Sequence, residues 1–329
     1  MKKLCAALLA AGLLFTQSAY ASAAFKDVGQ SYWANEEIVY LTDKKIISGF
    51  KDQSFQPNAS VTKIQAMIMV AKALNLDLTN RPDPGFSDLS KTSTGYAAAA
   101  AIVDEGFFPK SAALKPAEPI SRAQMARMLA TAFKWKSSTA VSFKDVPKNF
   151  WGHPYISALA NQNITLGYPD GTFKPNNALT RSQFSVFLAR ALNDNYKTYT
   201  YTNTALKYKL DLPNYMKTQV TAENKKDKIG SYGTYFYYNN TTHLGFKPAL
   251  AIIWAIPASK LPDYTGAPFK LLKKHGSTYY FYQGPGEHPY LFMDKQNQVV
   301  NKTNTPEAKE FERIQYKLAH MINGLAPLN

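Results

Sequence analysis

Apolar positions in the first two thirds of the chain recur with helical rather than strand spacing. Ile38 and Leu41 follow Trp33, and Ile156 and Leu159 follow Trp151, so each set traces one buried stripe of a short amphipathic helix. A turn comes next, Gly49-Phe50-Lys51-Asp52 in one place and Gly167-Tyr168-Pro169-Asp170-Gly171 in the other. Glycine frees the backbone there, and proline or aspartate favours reversal. Second helices are predicted to start at Thr62, Ser121 and Thr180, because each opens a capping box closed by Gln65, Gln124 or Gln183. Beyond a polar stretch at 193–203, which reads as a linker, the pattern changes. Runs at 208–212, 234–238, 249–256 and 278–282 are β-branched and aromatic and predict strands, with Lys273-Lys274-His275-Gly276 turning one into the next. The last element is a helix with Thr305 as cap, Pro306 and Glu307 in its first turn, Phe311, Ile314, Leu318 and Ile322 on one face, and Gly324 as its stop.

The helical part is an internal repeat. Phe25, Asp27, Trp33, Ile38, Leu41, Ile46, Gly49, Phe55, Pro57, Thr62 and Gln65 return at one constant offset as Phe143, Asp145, Trp151, Ile156, Leu159, Ile164, Gly167, Phe173, Pro175, Thr180 and Gln183. A degenerate copy lies between them, marked by Phe86, Asp88, Pro116, Ser121 and Gln124. A unit of roughly 60 residues buries too little alone, so the three are expected to share one core. F-x-D-V, a Trp-led helix, G-[FY]-x-D-x-x-F-x-P-N and T-[RK]-x-Q together resemble the S-layer-homology family. The resemblance implies a pseudo-threefold all-α bundle of three repeats that binds a secondary cell-wall polysaccharide, commonly one bearing pyruvate ketals. The whole chain then reads as multidomain: a leader at 1–23, repeats at 24–83, 84–140 (degenerate) and 141–198, and a small α+β domain at 199–329, an antiparallel sheet with a C-terminal helix.

Capping explains the hydroxyl and the amide but not the cation between them: Lys63, Arg122 and Arg181 occupy the first helical position of each copy. A cation at the positive end of a helix dipole is unfavourable by several tenths of a kcal/mol, and an anion would reverse that sign. A carboxylate placed there would meet free backbone N–H groups, the dipole and a guanidinium at once. Lysine offers a point charge in place of arginine's two-pronged grip, so Lys63 departs from the family pattern. The second repeat lacks the Gly-aromatic turn, having Lys110 and Ser111 there. Trp33 and Trp151 are open to two roles, stacking on a sugar or joining the core, and a helical apolar stripe favours the core. Asp27 and Asp145 either order the opening turn or accept a sugar hydroxyl, the turn being favoured. Gly49 with Phe50, and Gly167 with Tyr168, are groove-wall candidates by resemblance.

Composition narrows the partners. Residues 1–23 have a basic start (Lys2, Lys3), a short apolar run and small residues at Ala19, Ala21 and Ala23, the layout of a secretory leader cleaved after Ala21 or Ala23. No stretch is long and apolar enough for a membrane span. The single cysteine, Cys5, lies inside the leader, so no disulfide or thiol nucleophile is expected afterwards. The formal charge of +15 calls for acidic partners. Nucleic acid is set aside because no helix-turn-helix, RNP-type strand or Cys/His finger accompanies the charge, and a wall polymer fits an exported chain better.

In the C-terminal third, His243, His275, His288 and His320 have no acidic partner at metal-ligand spacing, and there is no G-x-S-x-G elbow. Glu287-His288 reads as an exposed polar turn. The tyrosine-rich runs at 235–238 and 279–282 invite a carbohydrate platform, but alternation must turn half of the rings into a core. No catalytic residue, metal or cofactor is named. The leading expectation is a secreted, cell-wall-associated anchor that binds an acidic glycan and displays a C-terminal domain whose partner the sequence leaves open. The alternatives are a tethered envelope hydrolase, with its activity in 199–329, and a lattice-forming surface-layer subunit.

Overall fold

The computed structural model describes residues 25–139, 141–242, 244, 246–286, 288–293 and 299–328. The expected leader, His243 and Glu287 lie outside these residues.

The repeats contribute paired helices in chain order: α1 (Asn35–Asp43) and α2 (Lys63–Ala73), α3 (Tyr96–Asp104) and α4 (Arg122–Ala132), α5 (His153–Asn161) and α6 (Arg181–Leu192). The longest has 12 residues, too few to persist alone in water, so tertiary packing must hold them. Ile38, Leu41, Met67, Ile102, Met125, Leu129, Ile156, Leu159, Phe184 and Leu188 are wholly buried in one core shared by all three repeats. The capping boxes form at α2, α4 and α6 as their spacing predicts.

Helices are not the whole of this region. Extended residues just ahead of α2, α4 and α6 meet at its centre. There Val61 donates its N–H to the Leu179 carbonyl, Leu179 to Ile120, and Ile120 back to Val61, closing a ring of three backbone hydrogen bonds. Isolated β-bridges join the same segments.

The sheet-rich C-terminal region has its own core. Residues 193–203 are not a bare linker: Asp194–Tyr196 forms a 3-10 turn and Thr198–Asn203 is strand β1. β1 pairs with β2 (Tyr208–Pro213), and β2 in turn with a final short strand, Ala326–Pro327. After a single helical turn, α7 (Met216–Gln219), come β3 (Val220–Lys226), β4 (Tyr232–Tyr238), β5 (Ala249–Pro257), β6 (Lys270–His275) and β7 (Thr278–Gln283). These five make an antiparallel sheet of order β3-β4-β5-β7-β6. The turn expected at 273–276 is shorter, since Lys273, Lys274 and His275 belong to β6 and Gly276 turns the chain at φ +56°. A small hairpin, β8 (Leu291–Met293) with β9 (Val299–Asn301), precedes the C-terminal helix α8 (Pro306–Ile322). Phe311, Ile314, Leu318 and Ile322 of α8 are fully buried against the inner rings and aliphatics of the sheets, including Phe236, Tyr238, Ile253 and Tyr280.

Helix α8 also has a second partner, which sequence patterning does not reveal. Its Lys317 donates to both oxygens of Glu37 on α1, at 2.7 and 2.9 Å, and to the Trp33 carbonyl at 2.8 Å. The two charged side chains are 3% and 1% exposed. Arg313 pairs with Glu36 at 2.9 Å, and the His320 ring stacks on Trp33 at 5.6 Å. The C-terminal region is therefore docked against the first repeat, not displayed at the end of a tether.

Burial of phenols gives this region a pH signature. Burial raises the Tyr208, Tyr238 and Tyr290 hydroxyls far above the ordinary 10.0, and the Glu310 and Glu307 carboxylates beside Tyr238 and Tyr290 add to the shift. Tyr215 is raised well above it too, chiefly by burial. A phenol raised in the folded state contributes stability that is complete below about pH 10 and is lost as pH climbs from there towards the folded value. Tyrosinate absorbance is expected to rise in two phases, exposed rings first, and the remainder together with loss of near-ultraviolet circular dichroism. A single phase complete before any unfolding would contradict these burials.

Candidate functional site

Each cation at a second-helix start reaches out of its own repeat into the turn of the next, so the site is a junction between repeats. Arg122 enters the loop of the third repeat. Its Nε donates to the Phe173 carbonyl at 2.7 Å, and the guanidinium lies over the rings of Phe173, Tyr168 and Phe187 at 4.5, 5.0 and 5.1 Å. Arg181 does the same in the first repeat. Its Nε donates to Phe55 at 2.6 Å and an Nη to Ser48 at 2.9 Å, with the Phe55 and Phe50 rings at 4.4 and 5.0 Å. Lys63 enters the degenerate second repeat, donating to the Leu114 carbonyl at 3.1 Å and to Glu118 at 2.9 Å. The three junctions close a circle: first repeat to second, second to third, third to first.

The free helix-start N–H groups expected from sequence are not there. Lys63 and Ile64 donate theirs to Glu118 and Pro116, Arg122 and Ala123 to Asn177 and Pro175, and Arg181 and Ser182 to Ala59 and Pro57. The cap hydroxyls take the next donor. The loop that receives each cation thus also saturates the helix end, and an anion would be held by side-chain nitrogen instead.

The cations are buried, and their electrostatics differ. Arg122 is 5% exposed and Arg181 7%. Burial pulls both guanidinium pKa values down, opposed at Arg122 by Tyr168 and Asp145 and at Arg181 by Asp27, though a guanidinium keeps its proton in a protein. Among the described residues neither arginine has a carboxylate within ion-pair distance, whereas Lys63 has Glu118. The positions equivalent to Glu118 are Ala59 and Asn177, both neutral. The Arg122 Nη atoms donate to no partner among the described residues, yet they are not sealed from solvent.

The remaining candidates divide sharply. Asp27 accepts the N–H groups of Phe55 and Gln56 at 2.7 and 2.8 Å. Asp145 accepts those of Phe173 and Lys174 at 2.8 and 2.7 Å, and Asp88 repeats the clamp on Leu114 and Lys115. Both oxygens of each aspartate are committed to shaping the loop that presents its carbonyl to the cation. Gly49 and Gly167 exist for close packing: an added Cβ would lie 2.3 Å from the Phe25 ring in one case and 2.4 Å from the Phe143 ring in the other. Phe50 and Tyr168 stand beside their arginines, with Phe50 41% exposed. Trp151 is exposed at 48%, next to Phe150. Trp33 instead packs on the core and on His320. Two participants escaped the sequence reading, Tyr32 and Ser182, whose hydroxyls meet at 3.0 Å across the junction that holds Arg181. His288 is not an exposed turn residue either, since its Nε2 lies 3.0 Å from Glu312 on α8. No group of three or more metal-ligating side chains occurs among the described residues, and no helix there is long and apolar enough to cross a membrane.

The model of the S-layer homology domain matches three times, at residues 24–67, 85–126 and 142–185. The chain is 30% identical over 195 residues to S-layer protein EA1 of Bacillus anthracis, covering 56% of this chain and 22% of that one. It is 31% identical over 182 residues to an S-layer protein of Bacillus licheniformis, covering 52% and 20%. An uncharacterized cell wall amidase of Bacillus anthracis is 30% identical over 163 residues, covering 48% and 30%. The chain thus spans only about a fifth to a third of the length of these relatives. Matched domains and relatives together indicate a secreted protein associated with the cell wall or S-layer. Three motif-bearing repeats joined in a circle, each matched by the same domain model, make the chain an S-layer-homology-domain protein with an additional C-terminal region.

Proposed function

We propose that this protein anchors non-covalently to the cell wall by binding an acidic, carboxylate-bearing wall polysaccharide at two of its three repeat junctions. The three repeats then work as one pseudo-threefold bundle, and the C-terminal region is given no catalytic role. The observation that supports this is the pair of buried arginines, Arg122 and Arg181, lacking a carboxylate partner among the described residues. Taking a charge out of water costs several kcal/mol unless it is paired. Carbonyls and ring faces offset part of that cost, and a ligand carboxylate against the outward nitrogens would offset more. At the Lys63 junction Glu118 already supplies the counter-charge, so an acidic sugar would meet like charge there. Tyr168 beside Arg122, and Phe50 with Tyr32 at the Arg181 junction, provide ring surface for the sugar.

Co-sedimentation with purified sacculi tests the reading. Arg122→Gln combined with Arg181→Gln is expected to cut the bound fraction at least tenfold, the equivalent of about 1.4 kcal/mol. Removing the acidic polymer from the sacculi with acid should abolish binding of the parent protein, and Lys63→Gln should change it less than about twofold. Thermal unfolding of each variant separates lost binding from lost fold. Pelleting that survives both the double substitution and the stripping overturns the mechanism.

A further inference from the structure

The two arginine junctions share one plan, yet position by position they offer a ligand different things. Ahead of α1 the Tyr32 hydroxyl meets Ser182 Oγ at 3.0 Å. The residues matching these at the other junction are Phe150 and Ala123, and a Cβ added at Gly152 would lie 3.3 Å from that of Ala123. Trp33 follows Tyr32 and Trp151 precedes Gly152, so each indole stands one residue from its junction. Each is flanked by the ring before it, Tyr32 at 6.0 Å and 42° in one case and Phe150 at 5.4 Å and 43° in the other. Beyond that the two part. His320 of α8 stacks on Trp33 at 5.6 Å with planes 21° apart, whereas Trp151 is left 48% exposed. The cations differ in the same sense. Arg181 commits an Nη to the Ser48 carbonyl at 2.9 Å, while the Arg122 Nη atoms have no acceptor among the described residues. Lys174 Nζ lies 4.2 Å from the Tyr168 ring, itself beside Arg122, and the equivalent residue of the first repeat is the neutral Gln56.

We infer, resting on the anchoring proposed above, that the Arg122 junction is the primary glycan site, with Lys174 and Trp151 as further binding residues, and that α8 caps the Arg181 junction by laying His320 on Trp33. At the open junction a carboxylate can take both outward guanidinium nitrogens and an ammonium, and a sugar ring can lie on the uncovered indole. At the capped junction the indole face is occupied and one guanidinium nitrogen is already bonded, so binding there is weaker. The cap belongs to the C-terminal region and is held in place by the Lys317–Glu37 pair. Drawing α8 away would uncover a second strong site and turn one-point attachment into two-point attachment, with the affinity gain of linked sites.

The test titrates the full chain against purified sacculi that retain their acidic polymer and reads affinity by co-sedimentation, with thermal unfolding to confirm the fold of each variant. Arg122→Gln alone is expected to weaken binding about tenfold and Arg181→Gln alone about threefold. Trp151→Ala with Lys174→Gln, the latter restoring the side chain of Gln56, should weaken it about fivefold. His320 is itself exposed, so His320→Ala lifts the cap and leaves the buried ion pair in place. In the Arg122→Gln background it should recover binding about threefold, and adding Trp33→Ala or Arg181→Gln should erase that recovery. Equal losses from the two single arginine substitutions, no loss from the Trp151 and Lys174 pair, or a His320→Ala that leaves binding unchanged or weakens it would each overturn this inference while the anchoring stands. Binding indifferent to both arginines replaced together would overturn the anchoring, and this inference with it.

Discussion

Lys317→Met is expected to destabilise the protein by about 3–5 kcal/mol, the cost of leaving a buried charge without its partner. Glu37 is 1% exposed and, in the variant, has neither ammonium nor water to answer it. Calorimetry should show the loss, and it should split one cooperative transition into two as the C-terminal region unfolds apart from the repeats. Adding Glu37→Gln to Lys317→Met removes the stranded charge and should recover most of the deficit, because replacing both members of a buried pair is often close to neutral. A double-mutant cycle that returns no coupling would mean that the apolar contact of His320 on Trp33 holds the two regions together, and the ion pair does not.

Gly167→Ala is expected to cost about 3 kcal/mol, combining overpacking with an unfavourable backbone conformation. The added methyl would sit 2.4 Å from the Phe143 ring and 2.7 Å from the Thr172 carbonyl, at a residue whose φ is +76°. Both neighbours are constrained: the ring is in the shared core, and the carbonyl accepts the Tyr168 N–H at 2.7 Å. Denaturant titration should show a lower midpoint. Glycan binding per folded molecule should change little below the transition, because the clash lies under the loop and away from the outward nitrogens of Arg122. A large loss of affinity with unchanged stability would instead assign the glycine to close approach of a sugar.

Much of the helical part is legible because the same constraint is written three times. The capping boxes, the F-x-D clamp and the turn residues are local chemistry, and local chemistry shows in spacing. What spacing hides is the partner. Reading Arg181 with its own turn residue Tyr168 is natural, but the chain closes a circle and Arg181 meets Phe50, while Tyr168 receives Arg122. The two weak features noticed along the sequence, a lysine in place of arginine at position 63 and the missing aromatic turn at Lys110-Ser111, therefore belong to one junction and leave the other two whole. In the C-terminal region, strands rich in β-branched and aromatic residues announce themselves. β1, with its Thr-Tyr alternation, passes for a polar linker because its sheet has only three strands and one open side. The docking of α8 is invisible for a different reason: Lys317 sits on a helix beside other charges, and nothing local says that its partner lies at Glu37, on the far side of the chain.

The ring of bonds through Val61, Ile120 and Leu179 has a temporal consequence. Two of its three links involve Leu179, so a chain that emerges from the amino end has an open arc until nearly the whole helical part is available. A fragment stopping before that residue keeps two of its repeats bonded to each other and leaves the first repeat's turn without the arginine that should fill it. Assembly is thereby tied to completion: the circle of repeats closes only when its last link is made, and a prematurely ended chain would lack the junction that Arg181 completes.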